Sequence, residues 1–294
     1  MSNSAMKETA GEKAFDWVNM FLLLVISLVM LFPFVYITAL SFSDEKSIAE
    51  GGLILFPKGF SLAAYKYIFS TDTLMQGLYN SILITVGGTI VNLVMTSLMA
   101  YPLSKVHLRG RKLILMFVVF TILFSGGLIP TFLVVKWTGL LDSLWSVIIP
   151  TSISAFYLII LKNFFQQIPD GLEESAKIDG ANDLVVLVRI VLPLSLPAMA
   201  TFALFYAVSH WNMYFQAILY ISDNTKWPIQ VLLRQIVILS QSSVGSSSSL
   251  DETVLPPQSI KMAVIVFATI PIMLVYPFLQ KHFAKGVMLG SVKG

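Results

Sequence analysis

The stretch Pro169-Asp170-Gly171-Leu172-Glu173-Glu174-Ser175-Ala176-Lys177-Ile178-Asp179-Gly180-Ala181-Asn182-Asp183 is a polar island in the second half of a very apolar chain. Its reading decides how the rest is arranged. It lies between two apolar runs of membrane length. Asp170, followed three residues on by Glu173, reads as an N-cap with a capping-box partner, since both carboxylates can accept from the unpaired N–H groups of a first helical turn. Gly180 supplies the stop, because glycine turns out of a helix through positive φ at little cost. Asn182 or Asp183 can then cap a second helix, which runs through Arg189 into Leu192-Pro193-Leu194-Ser195-Leu196-Pro197. The expectation is a short amphipathic helix, a tight turn and the start of a membrane span.

Working outward, the composition sets the solvent. Hydrophobic residues make up 56% of the 294 and charged residues only 12%, with a mean hydropathy of +0.80. Soluble chains carry about 25% charged residues. Repeated apolar runs of ~20 residues imply a multi-span helical membrane protein, because a span in lipid must satisfy its own backbone. There is no cysteine, which excludes disulfides, thiolate metal sites and cysteine nucleophiles. The net charge of +3 is modest, and nothing suggests a nucleic-acid surface.

In chain order, residues 1–16 read as a polar N-terminal segment and 17–294 as a single transmembrane domain. The six expected spans are Trp17–Leu40, Ser81–Ser104, Leu113–Val135, Leu144–Leu161, Val185–Val208 and Ile260–Leu279. The first is too long for a signal-peptide core and lacks a cleavage pattern, so it reads as a retained anchor. In the loop after it, Ser61 is positioned to cap a short surface helix. The loop holding the island spans 169–185, and a long external loop spans 209–258, with a flexible serine-rich segment at 239–250. With the N-terminus inside, 12 of the 19 lysines and arginines fall on the inner side. The positive-inside rule thus selects N-in and C-in, with the island in the cytoplasm. The fold class expected is all-α: a polytopic membrane protein with six transmembrane helices.

Ionisable side chains are nearly absent from the spans; Arg189 and Lys261 lie near ends, where they can snorkel. A proton- or ion-coupled carrier needs intramembrane charge, so that class is disfavoured. No nucleophile–base pair, paired carboxylate site, Walker loop or HExxH motif is present, which argues against an enzyme. Three histidines, His107, His210 and His282, are too dispersed for a metal site. Gly87-Gly88 in the second span marks close packing or a bend. Gly126-Gly127 with Pro130 in the third carries the same two readings, and a bend there would lie beside a translocation path. Pro193 and Pro197 should bend or break the fifth span, as a hinge or a plain kink. The cluster His210-Trp211-Asn212-Met213-Tyr214-Phe215-Gln216 ends that span. Trp211, Asn212, Tyr214 and Gln216 have the chemistry to hold a sugar, by ring stacking and amide hydrogen bonds. They equally suit an interfacial aromatic belt. His210 itself reads as structural.

Glu174-Ser175-Ala176, Asp179-Gly180-Ala181 and Ile190-Val191-Leu192-Pro193 resemble the EAA signature of permease subunits of bacterial ATP-binding-cassette importers, with Ser175 where alanine is usual. The resemblance extends through Asn80-Ser81, Phe60-Ser61-Leu62, Ile260-Lys261-Met262-Ala263 and the ending from Tyr276-Pro277-Phe278 to Gly294. These are similar to the carbohydrate-uptake branch, for oligosaccharides or polysaccharide fragments. The resemblance implies that the island is a cytoplasmic coupling helix, with Glu173, Glu174, Ser175, Ala176, Asp179, Gly180, Ala181 and Pro193 as ATPase-coupling residues. It implies a second permease subunit, as a heterodimer, two cytoplasmic ATPase subunits, an extracellular solute-binding lipoprotein and a sugar substrate in a bacterial cytoplasmic membrane. ATP would be bound by the partners, so no cofactor is expected on this chain. Trp211, Asn212, Tyr214, Gln216, Gly126 and Gly127 stand as substrate-path candidates. An importer for amino acids or phosphate is the alternative.

Overall fold

The computed structural model describes residues 10–242 and 257–291, and every regular element among them is helical. The serine run within 239–250, most of the N-terminal segment and the last three residues lie outside the described residues. The chain forms two compact units.

The first unit holds residues up to Ser70 together with Ser242–Phe267. Its helix α1 (Ala10–Ser41) starts before the expected span and is exposed along its apolar length. A helix hydrophobic all round is built for lipid or for other helices. Only its C-terminal end is packed: Ala39 and Leu40 are buried with Ile54, against Tyr36, Ile48 and Met262. Helix α2 (Glu45–Ala49) is capped by Asp44, whose Oδ1 accepts from Ser47 N at 3.0 Å. Hydrogen bonding by Ser47, from its side chain first and its N–H second, holds the Asp44 carboxyl below the usual range. Helix α3 (Ala63–Ser70) follows Ser61, whose hydroxyl accepts from Ala63 N at 3.2 Å, as a starting residue should. Glu45 accepts from the N–H groups of Gln258 and Ser259 and from the Ser259 hydroxyl, at 3.0, 3.3 and 2.9 Å. It thereby satisfies donors in the first turn of the last helix.

The second unit, Thr71–Gln241 with Ala268–Gly294, is organised on α4 (Asp72–Ser104), which begins nine residues before the expected span. Its buried face is rich in small and polar residues, Gly77, Asn80, Ser81, Gly88, Asn92, Thr96, Ser97 and Ala100, beside the larger Leu74, Ile84, Tyr101 and Leu103. Small residues permit close approach of helices where lipid supplies no hydrophobic drive. Next come α5 (Arg111–Leu123), α6 (Leu128–Trp137), α7 (Trp145–Ile148) with a 3-10 turn to Thr151, and α8 (Ala155–Phe165). After the island's α9 (Asp170–Ile178) stand α10 (Asp183–Val186), a π-helical turn over Leu187–Val191, α11 (Leu192–Leu194) and α12 (Leu196–Trp211). Then follow α13 (Phe215–Tyr220), α14 (Ile229–Ser242) and α15 (Gln258–Ser291). One core cluster joins α4, α8 and α10–α12 through Tyr101, Leu158, Phe165, Val186, Phe202 and Tyr206; another, with Ile84, Val147, Ala217 and Val231, packs near the start of α4.

Among the described residues, three helices are long and apolar enough to cross a membrane: Gly11–Ser41, Asp72–Ser104 and Gln258–Val275. Three further apolar pairs are bent, by 118° at Phe124–Gly127, 54° at Ser152–Ser154 and 86° at Ser195. The third, fourth and fifth expected spans are thus broken rather than continuous. At Ser195 the cause is legible, since Pro193 and Pro197 remove two donors within one turn. The expected external loop at 209–258 is largely helical in its described part, carrying all of α13 and α14.

Candidate functional site

Helix α9 starts after Pro169, whose φ of −59° suits a helix start. Asp170 is the first helical residue rather than the cap, and no side chain caps this end. Glu173 does not reach back either, so the capping-box expectation is corrected. Glu173 is 5% exposed, and its Oε2 accepts from the Lys105 ammonium and, at 3.2 Å, from the Tyr101 hydroxyl. A lysine within reach offers a charge-assisted bond about twice as strong as a neutral one, which outcompetes a backbone N–H. The same ammonium lies 4.9 Å from the centroid of the Tyr101 ring. Glu173 therefore ties α9 to the end of α4.

Glu174, next along, is exposed and makes no ion pair among the described residues. Ser175 Oγ donates to Leu172 O at 3.1 Å, and Ala176 and Ala181 pack against the core cluster beneath. The helix ends in a Schellman motif: Ala181 N donates to Ala176 O at 2.9 Å and Gly180 N to Lys177 O at 3.0 Å, with Asp179 as C-cap. Gly180 holds φ +88°, and a Cβ added there would meet nothing within 4 Å. A side chain at 180 would thus be penalised by backbone conformation alone. Asn182, not Asp183, caps α10, its Oδ1 accepting from Val185 N at 2.9 Å. Asp183 instead pairs with Lys177 at 2.8 Å across the turn, and this hydrogen bond pushes the Lys177 ammonium's pKa up. Ile178, Leu172 and Leu184 are left exposed around the turn, Ile178 at 87%. Pro193 sits in α11, between the π-helical turn and the bend at Ser195.

The substrate-path candidates are not brought together. Trp211 is buried, and its indole N–H donates to Ala268 O at 3.1 Å. Its ring is covered on most of its surface, so no stacking face is open to a sugar in this conformation. Asn212 is exposed, with its amide spent on Val208 O at 2.8 Å. Tyr214 lies under the Arg234 guanidinium, 4.2 Å from the ring centroid. Gln216 lies partly buried on α13. Gly126 and Gly127 are exposed at the break between α5 and α6; Gly127 holds φ +85°, and Gly126 has room for a Cβ. The pair makes a bend, not a close helix contact within this chain. Gly88 is the opposite case, since a Cβ there would meet His210 Nε2 at 2.6 Å.

A second polar constellation had not been singled out in the sequence. Asn92 Nδ2 donates to Thr151 O at 2.8 Å, on the break before α8. Its Oδ1 faces His210 Nε2 at 3.1 Å. Tyr206 Oη bonds Thr96 Oγ1 at 2.8 Å and accepts from Ser154 N at 3.4 Å, on the far side of the same break. Side chains of α4 and α12 thus stitch the opened backbone. The available signal was the spacing Thr85, Thr89, Asn92, Thr96, one helical face of polar residues inside an apolar run. Glu173's partner Lys105 was visible only as a member of a basic cluster.

Residues 92–289 match the family of the binding-protein-dependent transport system inner membrane component. The chain is 58% identical over 283 residues to the polygalacturonan/rhamnogalacturonan transport system permease protein YtcP of Bacillus subtilis (strain 168), covering 96% of this chain and 99% of that one. It is 54% identical over 289 residues to Protein LplC of the same organism, covering 98% of each. Among solved structures it superposes on a chain from a bacterial ABC transporter involved in the import of the acidic polysaccharide alginate, with TM-score 0.85 and 32% identity, covering 95% of this chain and 100% of that one. An apolar helical chain, a polar element between broken apolar pairs and this match over two thirds of its length agree. The chain belongs to the binding-protein-dependent transport system inner membrane component family, the membrane-embedded permease subunits of ABC importers, and it is not an enzyme.

Proposed function

We propose that this permease spans the cytoplasmic membrane six times, N-in and C-in, as half of the path of an ATP-driven importer of oligosaccharides or polysaccharide fragments. Its partners are a second permease, two cytoplasmic ATPases and an external solute-binding protein. The relatives' printed substrates, polygalacturonan, rhamnogalacturonan and alginate, support a saccharide over an amino acid or phosphate.

The arrangement of α9 carries the mechanical part. Glu174 and Ile178 are presented outward, while Glu173 is locked inward to Lys105 and Tyr101. Two adjacent carboxylates thus divide the work, one fastening and one docking. Leu172, Ile178 and Leu184, exposed together around this turn, offer apolar surface of the kind a partner covers. Force applied to α9 by the ATPases reaches α4 through the Glu173–Lys105 pair. It reaches α10–α12 through the Schellman turn.

The test is reconstitution of the complete complex in liposomes with a panel of galacturonan fragments, neutral oligosaccharides, amino acids and phosphate. Uptake restricted to saccharides is expected. Glu174→Lys should insert normally yet lose co-purification of the ATPase. Wild-type recruitment together with wild-type uptake in that variant would remove α9 from the coupling role.

A further inference from the structure

Lys162 lies in the last turn of α8, one residue past the expected end of the fourth span, and is only 8% exposed. A lysine is hardly ever buried to this degree without an acid partner, because taking an ammonium out of water is expensive. No carboxylate pairs with it among the described residues. The charge that acts on it is another cation, the Arg111 guanidinium at the start of α5. Packing brings the two together, since Leu115 and Val118 of α5 meet the cluster that holds Leu158, Leu161 and Phe165 of α8. The buried polar atoms without a partner are Thr85 Oγ1, Thr89 Oγ1 and His210 Nδ1; the Lys162 nitrogen is unpaired but not sealed.

Arg111 spends Nε on Leu103 O at 2.8 Å, which leaves its two terminal nitrogens unengaged among the described residues. Arg109 and Lys112 flank it, both exposed and neither in an ion pair among the described residues. Cations with no counter-charge therefore gather where α4 ends, α5 begins and α8 ends. The first turn of α5 adds to them: its cap, Gly110, offers no side chain, and a helix start favours an anion. Beyond the cations, α5 carries Leu113, Met116, Phe117 and Phe120, each more than half exposed. A soluble anion would use the charges and leave that apolar surface bare. An anionic amphiphile covers both.

We infer that the start of α5 and the end of α8 bind an anionic phospholipid of the inner leaflet, with its phosphate held by Lys162, Arg111 and the first turn of α5. The chains lie along the exposed flank of α5, and Arg109 and Lys112 add attraction at the rim. The inference rests on the six-span reading above, which puts these residues at the cytoplasmic edge of the membrane. The counter-charge that Lys162 lacks within the chain is then supplied by the bilayer.

The decisive measurement is the apparent Tm of the full-length subunit in an uncharged detergent, titrated with phosphatidylglycerol, phosphatidylcholine or inorganic phosphate. Phosphatidylglycerol should raise Tm at a mole fraction roughly tenfold below phosphatidylcholine, and inorganic phosphate should not substitute for it. Lys162→Met keeps the apolar stem and breaks no bond among the described residues. It should move the phosphatidylglycerol midpoint up by about tenfold or more, the worth of one charge-assisted bond. Its lipid-free Tm should equal or exceed that of wild type, since a buried charge without a partner has gone. A lower lipid-free Tm with an unchanged lipid response gives Lys162 a structural role and overturns the proposal. Equal protection by inorganic phosphate overturns it too. So does loss of ATPase co-purification with an unchanged lipid response, which would assign these cations to a carboxylate of that partner. Arg109→Gln with Lys112→Gln removes exposed cations only and should move the midpoint by roughly fivefold or more. An unchanged midpoint there overturns the proposal, and decides it alone if Lys162→Met fails to assemble. The chain has no cysteine, so Lys112→Cys tests the underlying topology separately, with a membrane-impermeant maleimide on intact cells. Labelling from outside refutes the six-span orientation, whereas a missing lipid response with residue 112 inside refutes the site alone.

Discussion

Two breaks in apolar helix pairs solve one problem in opposite ways. At Ser152–Ser154 the opened backbone is stitched from two neighbouring helices, by Asn92 to Thr151 O and by Tyr206 to Ser154 N. At Phe124–Gly127 the bonds are local: Gly127 N to Ser125 Oγ at 3.2 Å and Thr131 Oγ1 to Gly127 O at 2.7 Å. Residues 121–130 are all exposed. Lipid cannot satisfy open backbone. Under the six-span reading, the second break therefore needs a cover that the described residues do not supply, from the second permease or from a water-filled path. One break is closed within the subunit; the other, among the described residues, is not.

The largest expected effect belongs to the stitched break. Asn92→Leu leaves Thr151 O and His210 Nε2 without their partner, at about 1–3 kcal/mol for a group left fully buried and less for the part-buried Thr151 O. The apparent Tm of the detergent-purified subunit should fall by several degrees. An unchanged Tm would erase the distinction between the two breaks. Gly127→Ala comes next. Its φ of +85° with ψ of 168° is a conformation essentially restricted to glycine, so alanine is strained by about 1–3 kcal/mol, while the nearest atom to an added Cβ is Pro130 Cδ at 3.8 Å. The isolated subunit should lose a few degrees of Tm, less than with Asn92→Leu, and cross-linking yield to the second permease should fall further than that loss of stability explains. Equal losses in both readouts would argue that this break, too, is internal. The smallest effect is expected at the turn after α9. Lys177→Met removes an exposed pair worth about 0–1 kcal/mol, discounted further by solvent screening. The raised Lys177 pKa means this contribution is fully present below the unfolded lysine value near 10.4 and fades only as pH climbs through the folded one. Tm should therefore differ from wild type by a similar small amount from pH 6 to 9. A large gap at neutral pH would make the turn a structural joint like the first break.

What could be read in advance follows from range in sequence. The stop at Gly180 and the cap at Asn182 depend on neighbours within five residues, and local chemistry specifies them. Apolar runs report lipid-length helices, but hydropathy counts residues and is blind to the direction of the axis. The break at Ser152–Ser154 is hidden for that reason, whereas the bend at Phe124–Gly127 is one of the two readings that Gly126-Gly127 and Pro130 allow. Glu173 was given a local role because Asp170 stood three residues away, while its true partner is 68 residues distant. His210 and Asn92 are 118 residues apart and meet only because Gly88 lets α12 approach α4. Trp211 was singled out for its chemistry, and burial against Ala268 withdrew that chemistry from use.

The Glu45 contacts have a consequence for the order in which the chain is made. The packed end of α1 closes on Met262, and Glu45 finds its donors at Gln258 and Ser259, about 214 residues later. A ribosome adding ~5–20 residues each second needs roughly 10 to 40 seconds to cover that distance. Throughout that interval the end of the first helix packs only on neighbours made early, Ile48 and Ile54 among them. A nascent chain truncated before residue 257 therefore keeps that local core but lacks Met262 and the donors that Glu45 accepts from.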